Sequence, residues 1–220
     1  ARLKPIISRS FPNLQVGLPG LLEAWGQNCL HKNGFIPLGS LPGRYRPTVE
    51  SFTNYKKPFL QVNGDLYVQY HKQLRDIAKG RPVVGISWKG GYWESQKKAK
   101  ALGIENWLPI FERGALCVNL QYGDTAADEN LIKEKGYEFV TFPQIDYKVK
   151  LDDWLAISAA CDGIISVSTA LVHFAGACGQ KVGIVMPEPQ GPWILGINDE
   201  WSIAYPNVAI FRRDRNESIR

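Results

Sequence analysis

From Arg81 onward, short apolar runs alternate with segments long enough to form helices, and few architectures accept that order. Residues 83–88, Val83-Val84-Gly85-Ile86-Ser87-Trp88, are β-branched and apolar and predict a buried strand. Residues 104–113 predict a helix, 116–122 a second strand, 126–135 a helix and 138–142 a third strand. Residues 151–160 form an amphipathic helical pattern. Asp152 and Asp153 stand in its first turn, where carboxylates favour the positive end of the helix. Residues 163–167 predict a fourth strand that runs straight into a helix over 168–178, closed by Gly179. Residues 181–186 and 208–211 supply a fifth and a sixth strand. Strands alternating with helices imply βαβ units, so the expected fold is α/β, a Rossmann-like parallel sheet with helices on both faces. In such sheets ligands bind outside the carboxyl ends of the strands, which directs attention to the residues that follow each one.

The first third of the chain has a different character. Residues 1–60 are punctuated by Phe11-Pro12-Asn13, Leu18-Pro19-Gly20 and Leu41-Pro42-Gly43, which break regular elements. This stretch reads as a remnant of a preceding domain and a linker, and residues 61–220 as the nucleotide-binding domain. Residues 64–79 predict one helix, with Leu66, Tyr70, Leu74 and Ile77 on its apolar side and Gly80 at its end.

Composition narrows the function classes. The 220 residues carry a formal charge of +5, with lysines and arginines spread along the chain rather than clustered as in a nucleic-acid binder. The excess positive charge favours an anionic ligand. Cys29, Cys117, Cys161 and Cys178 form no Cys-x-x-Cys pair, and the histidines lie at no metal-ligand spacing. Buried reduced thiols, no bound metal, no cofactor and a cytoplasmic location are the expectations. No apolar stretch reaches membrane-spanning length, and no signal peptide is expected.

The strongest local signal is the junction of the fourth strand with its helix at Ser168-Thr169-Ala170. A helix start presents unpaired N–H groups and a partial positive charge, and two hydroxyl residues add donors, which suits a pyrophosphate. Ser168 serves equally as a plain N-cap. His173 lies one turn after Thr169, either facing a phosphate or sugar hydroxyl or hydrogen-bonded on a half-buried helix. After the first strand comes Ser87-Trp88-Lys89-Gly90-Gly91. Its glycines let backbone approach a ligand, and its lysine can neutralise a leaving diphosphate or stay solvated. After the second strand come Gln121, Tyr122, Gly123 and Asp124, with Asp124 either a ribose ligand or a turn residue. Pro189-Gln190-Gly191-Pro192-Trp193 offers Trp193 as a wall for a base or as core packing. The P-loop spacing and the Gly-x-Ser-x-Gly elbow are absent, and the lack of the Rossmann glycine fingerprint weighs against an oxidoreductase or another nucleotide enzyme.

Taken in order, Val84 to Gly91, Leu120 to Asp124 and Ile165 to Gly179 resemble the C-terminal domain of heptosyltransferase-like glycosyltransferases, closest to the branch often fused to tetratricopeptide repeats. The tail with Trp201, Tyr205-Pro206 and Phe211-Arg212 resembles the end of that domain, and the resemblance spans residues 35–213. It implies the C-terminal half of a GT-B fold, in which two Rossmann-like domains face a cleft. It further implies that Ser168, Thr169 and Ala170 contact the diphosphate of a nucleotide sugar, that His173 lines the same pocket and that Lys89 stabilises the leaving group. Ser87 and residues 121–124 would border the ligand. The acceptor, a glycan, lipid-linked sugar or protein, and the catalytic base would belong to an N-terminal domain that this chain lacks. The isolated chain is then expected to bind a donor for hexosyl or heptosyl transfer without catalysing it, and to self-associate through its exposed cleft face. No 34-residue period of tetratricopeptide repeats is visible. A non-catalytic nucleotide-binding or assembly module with the same fold is the alternative.

Overall fold

A computed structural model describes residues 2–17, 38–53, 57–90, 102–187, 193–196 and 200–213. The basic stretch 96–100 and residues 189–192 lie outside the described residues. Six parallel strands form one sheet: β1 (Val83–Ser87), β2 (Leu116–Asn119), β3 (Phe139–Val140), β4 (Gly163–Val167), β5 (Val182–Pro187) and β6 (Val208–Arg213), in the spatial order β3-β2-β1-β4-β5-β6. Register is fixed by side-chain alternation. Val83, Leu116, Val118, Ile164, Val182 and Ile184 face one core layer, whereas Ile86, Cys117, Val167 and Val185 face the other. Helices cover both faces, as the alternation of elements in the sequence implies.

The first layer is closed by α4 (Gly64–Ala78), α7 (Leu151–Ala159) and α8 (Ala170–Ala177). Asn63 caps α4 by accepting from the Leu66 N–H at 3.2 Å. Lys79, at φ +50°, then turns the chain out of the helix ahead of Gly80. The second layer takes Trp107 and Phe111 from a 3₁₀ turn (Ile104–Trp107) and α5 (Leu108–Phe111), and Ile132 from α6 (Ala126–Glu134). The expected single helix over 104–113 is therefore split. Pro109 has no N–H to donate and suits a first helical turn, so the α-helix proper starts there.

Upstream, α1 (Lys4–Ser10), α2 (Leu41–Tyr45) and α3 (Val49–Thr53) are short. The first is tied to the α/β unit. Ile6 is buried, Arg9 pairs with Asp152 on α7, and Ser10 Oγ accepts from the Gln61 N–H at 2.9 Å. At the amino end of the sheet, Arg75 makes two hydrogen bonds to Asp162, of 2.8 and 2.9 Å. Arg75 thereby holds that carboxyl below its usual range while Asp162 also accepts from the Val83 N–H. Cys117 is buried and Cys161 and Cys178 are half-buried; Cys29 lies outside the described residues. Burial pushes the Cys117 thiol up to about 12 and that of Cys178 to about 11, so both remain protonated. No helix among the described residues is long and apolar enough to cross a membrane.

Gly176 on α8 carries a test of this packing. A Cβ there would lie 2.7 Å from Tyr205 Cγ and 3.0 Å from Val208 Cγ2. Alanine gains about 1 kcal/mol in helix propensity, but overpacking costs about 1–3 kcal/mol, and the obstacle is a ring rather than a flexible end. Gly176→Ala is expected to lower stability in urea unfolding; a more stable variant would contradict this packing.

Candidate functional site

β1 and β4 are neighbours, and the chain leaves β1 toward β2 but β4 toward β5, so the two connections diverge and a crevice opens at the carboxyl ends there. The turns after β1 and β4 meet in that crevice. A Cβ on Gly90 would lie 2.9 Å from Thr169 Cγ2 and 3.4 Å from the Ser168 carbonyl, so a glycine is what allows the two turns to close on each other.

Gln121 sets the first of those turns. Its Oε1 accepts from Ser87 Oγ at 3.1 Å, from the Trp88 N–H at 3.0 Å and from the Lys89 N–H at 2.9 Å. Its Nε2 donates to the Tyr122 carbonyl at 3.1 Å, and its backbone N–H donates to Asn119 Oδ1 at 2.8 Å. This explains why β2 ends at Asn119, short of the expected 122: the next residues turn to clamp the neighbouring loop. Gly123, at φ +87°, carries the bend. Asp124 is exposed and its Oδ1 accepts from the Ala126 N–H at 3.0 Å, the turn role among its two readings. Lys89 is held on one side. Its Nζ donates to Asp128 Oδ2 at 2.8 Å and to the Asp124 carbonyl at 2.9 Å, and Asp128 also accepts from Trp88 Nε1 at 3.1 Å.

Across the crevice, α8 begins at Ala170 rather than at the expected Ser168, because Thr169 keeps an extended backbone and occupies the cap position. No side chain caps the helix start. Thr169 is buried and its hydroxyl lies 3.4 Å from Ser166 Oγ, while Ser168 is half-buried and Ala170 exposed. His173 turns toward the segment ahead of β6, where its Nδ1 lies 3.2 Å from the Tyr205 hydroxyl. Trp193 opens a 3₁₀ turn (Trp193–Leu195), and its side chain lies outside the described residues.

Two adjoining recesses open along the same edge of the sheet and share Tyr147 and Lys148. The first, about 370 Å³, sits over the ends of β2 and β3 and mixes polar walls (Asn119, Gln121, Thr125, Glu129 and Asp146) with apolar ones such as Phe142 and Ile145. Glu129 Oε1 accepts from Asn119 Nδ2 at 2.8 Å and from Thr125 Oγ1 at 2.6 Å. The second, about 440 Å³, is mostly apolar. Tyr122, Trp154 and Phe174 line it, with Ala170 at one side and Arg2 at another. Its rings are fixed from behind. Trp154 Nε1 donates to the Leu120 carbonyl and the Tyr147 hydroxyl to the Asn119 carbonyl, both at 2.9 Å. Burial pushes the Tyr147 phenol far up, which keeps it a neutral donor.

Of the residues singled out in the sequence, Tyr122 and Ala170 meet in the second recess, Gln121 and Gly123 border the first, and Ser87, Ser168, Thr169 and Lys89 frame the seam between turns. His173 borders neither recess. Sequence reasoning missed Arg2, Lys148, Trp154, Phe174 and Asp128. Phe174 alone carried a local signal, standing four residues after Ala170 on the same helix face. Among the described residues no group of three His, Cys, Asp or Glu could hold a metal ion.

No family model matches the chain. Protein FlbA of Caulobacter vibrioides is 29% identical over 221 positions, covering 96% of this chain and 36% of that protein. Two solved structures share the fold, each at a TM-score of 0.50. One is a glycosyl transferase family 9 protein from Veillonella parvula, 10% identical over 70% of this chain and 42% of its own. The other is ADP-heptose LPS heptosyltransferase II of E. coli, 16% identical over 72% and 47%. The chain therefore shares the Rossmann-like α/β fold of these two structures and spans about a third of the length of the curated relative it matches.

The Gln121 clamp makes a direct prediction. Gln121→Leu leaves the Ser87 hydroxyl and the Trp88 and Lys89 amides without their acceptor. Unsatisfied buried donors cost about 1–3 kcal/mol each, so the variant should lose about 2–4 kcal/mol after partial rehydration. Chemical denaturation measures this; a loss below about 1 kcal/mol would show that the turn holds without Gln121.

Proposed function

We propose that this chain is the donor-binding, C-terminal-type domain of a GT-B glycosyltransferase and that it takes a nucleotide-diphosphate sugar at the β1–β4 crevice. One observation carries the reading. The turns after β1 and β4 close on each other through Gly90, and the second recess opens beside the uncapped, exposed start of α8. A helix start with free N–H groups favours anionic oxygens, and an adjoining aromatic recess favours a flat ring. Ala170 and Tyr122 touch the ligand in this reading, while Gln121 and Thr169 shape its seat. Transfer to a glycan, lipid-linked sugar or protein acceptor requires a facing domain that supplies the acceptor site and the base. The engagement of Lys89 by Asp128 favours a second reading, a nucleotide-binding module without transfer chemistry, and both share the same site.

Thermal unfolding against UDP, ADP, GDP and CMP tests the proposal. A ligand at a hundred times its dissociation constant adds about 2.7 kcal/mol. Ala170→Glu places a carboxylate in the first turn of α8, which should raise unliganded stability by about 0.3–1 kcal/mol while repelling a diphosphate. The expected result is a more stable protein that has lost its nucleotide response. The reading fails if no nucleotide stabilises the wild type, or if Ala170→Glu responds as well as it does.

A further inference from the structure

Resting on the donor-site reading, we propose that the phosphates of the bound nucleotide are held by Arg2 and Lys148, rather than by Lys89. Three observations point the same way. Lys89 is already neutralised: its Nζ donates to a carboxylate oxygen of Asp128 and to the Asp124 carbonyl, and a diphosphate would have to break that pair. Arg2 and Lys148 both line the aromatic recess that Ala170 borders, and among the described residues neither forms an ion pair.

The two are also held next to each other. Arg2 Nη1 donates to the Lys148 carbonyl, and the Lys148 N–H donates to Asp146 Oδ1 at 2.9 Å, which fixes the turn that carries it. Lys148 Nζ stands 5.7 Å from the centre of the Tyr122 ring, on the recess wall. Two cations on the wall of one recess favour an anion held there. A guanidinium that spends one donor on a carbonyl keeps the rest for phosphate oxygens.

The neighbouring recess sharpens the assignment. It shares Lys148 but adds Glu129 and Asp146, which disfavour a diphosphate there, whereas the described lining of the aromatic recess holds Arg2 and Lys148 and no acid. The chemical class this selects is a nucleoside diphosphate, its ring against Tyr122, Trp154 and Phe174 and its phosphates toward Arg2, Lys148 and the start of α8.

Titration calorimetry on the full chain tests this with three pairs, UDP and uridine, ADP and adenosine, GDP and guanosine. The variants are Arg2→Gln, Lys148→Gln, Lys148→Arg and Lys89→Gln. Arg2 and Lys148 are exposed, so their substitutions leave the core intact. Arg2→Gln and Lys148→Gln should each weaken the diphosphate about tenfold, the size of one charge-assisted hydrogen bond, and leave the matching nucleoside unchanged. Lys148→Arg should restore most of the loss, and Lys89→Gln should weaken binding less than either. The assignment is overturned if Lys89→Gln has the largest effect, or if nucleoside and diphosphate weaken together. Binding by the wild type with Arg2→Gln and Lys148→Gln silent would sink this proposal alone; no binding by the wild type would sink the donor-site reading with it.

Discussion

One side-chain oxygen, Gln121 Oε1, organises the carboxyl edge of the sheet. It sits at the end of β2 and accepts three hydrogen bonds from the turn that leaves β1. In a buried setting those donors would otherwise go unpaired, so the turn has one favourable course. That course delivers Gly90 to the backbone of Ser168 and the methyl of Thr169, which closes the crevice at the point where the strand order departs in both directions. The helix start at Ala170 then faces outward beside the aromatic recess.

The edge divides its chemistry between two adjoining recesses. Over β2 and β3 lie amides and carboxylates suited to hydroxyl groups; beside α8 lie rings and cations suited to a flat base and phosphates. The wall between them, Tyr147 and Lys148, belongs to the loop ahead of α7. The wall opposite comes from far away in sequence, since Arg2 reaches the recess only because α1 is anchored by Ile6, by Arg9 with Asp152 and by Ser10 with Gln61.

The strands were legible because parallel, doubly covered strands must be apolar on both faces, and residues 83–87 and 163–167 are. The helix over 64–78 was legible because its apolar residues recur at helical spacing and Gly80 marks its end, whereas the Asn63 cap was not read from the sequence. Boundaries failed where a tertiary bond overrode local pattern. β2 stops early for the Gln121 clamp, β3 shrinks to two residues, and Thr169 stays extended where hydroxyl residues suggested a helix start. The position of the crevice was readable from the order of elements. The partners of its side chains were not, since Asp128 on Lys89, Tyr205 on His173 and Lys148 beside Arg2 are contacts between segments 32 to 146 residues apart. The Rossmann-like fold expected from the order of elements is the one the two solved structures share.

Backbone amide mapping by NMR with UDP, ADP and GDP is the most direct measurement of whether this edge binds a nucleotide. The account predicts that one of them shifts the amides of Lys89, Gly90, Ser168, Thr169, Ala170 and Leu171 together with Tyr122 and Lys148, while β6 and the amino end of the sheet stay unmoved. Shifts confined to another surface, or no shifts at saturating nucleotide, would contradict it.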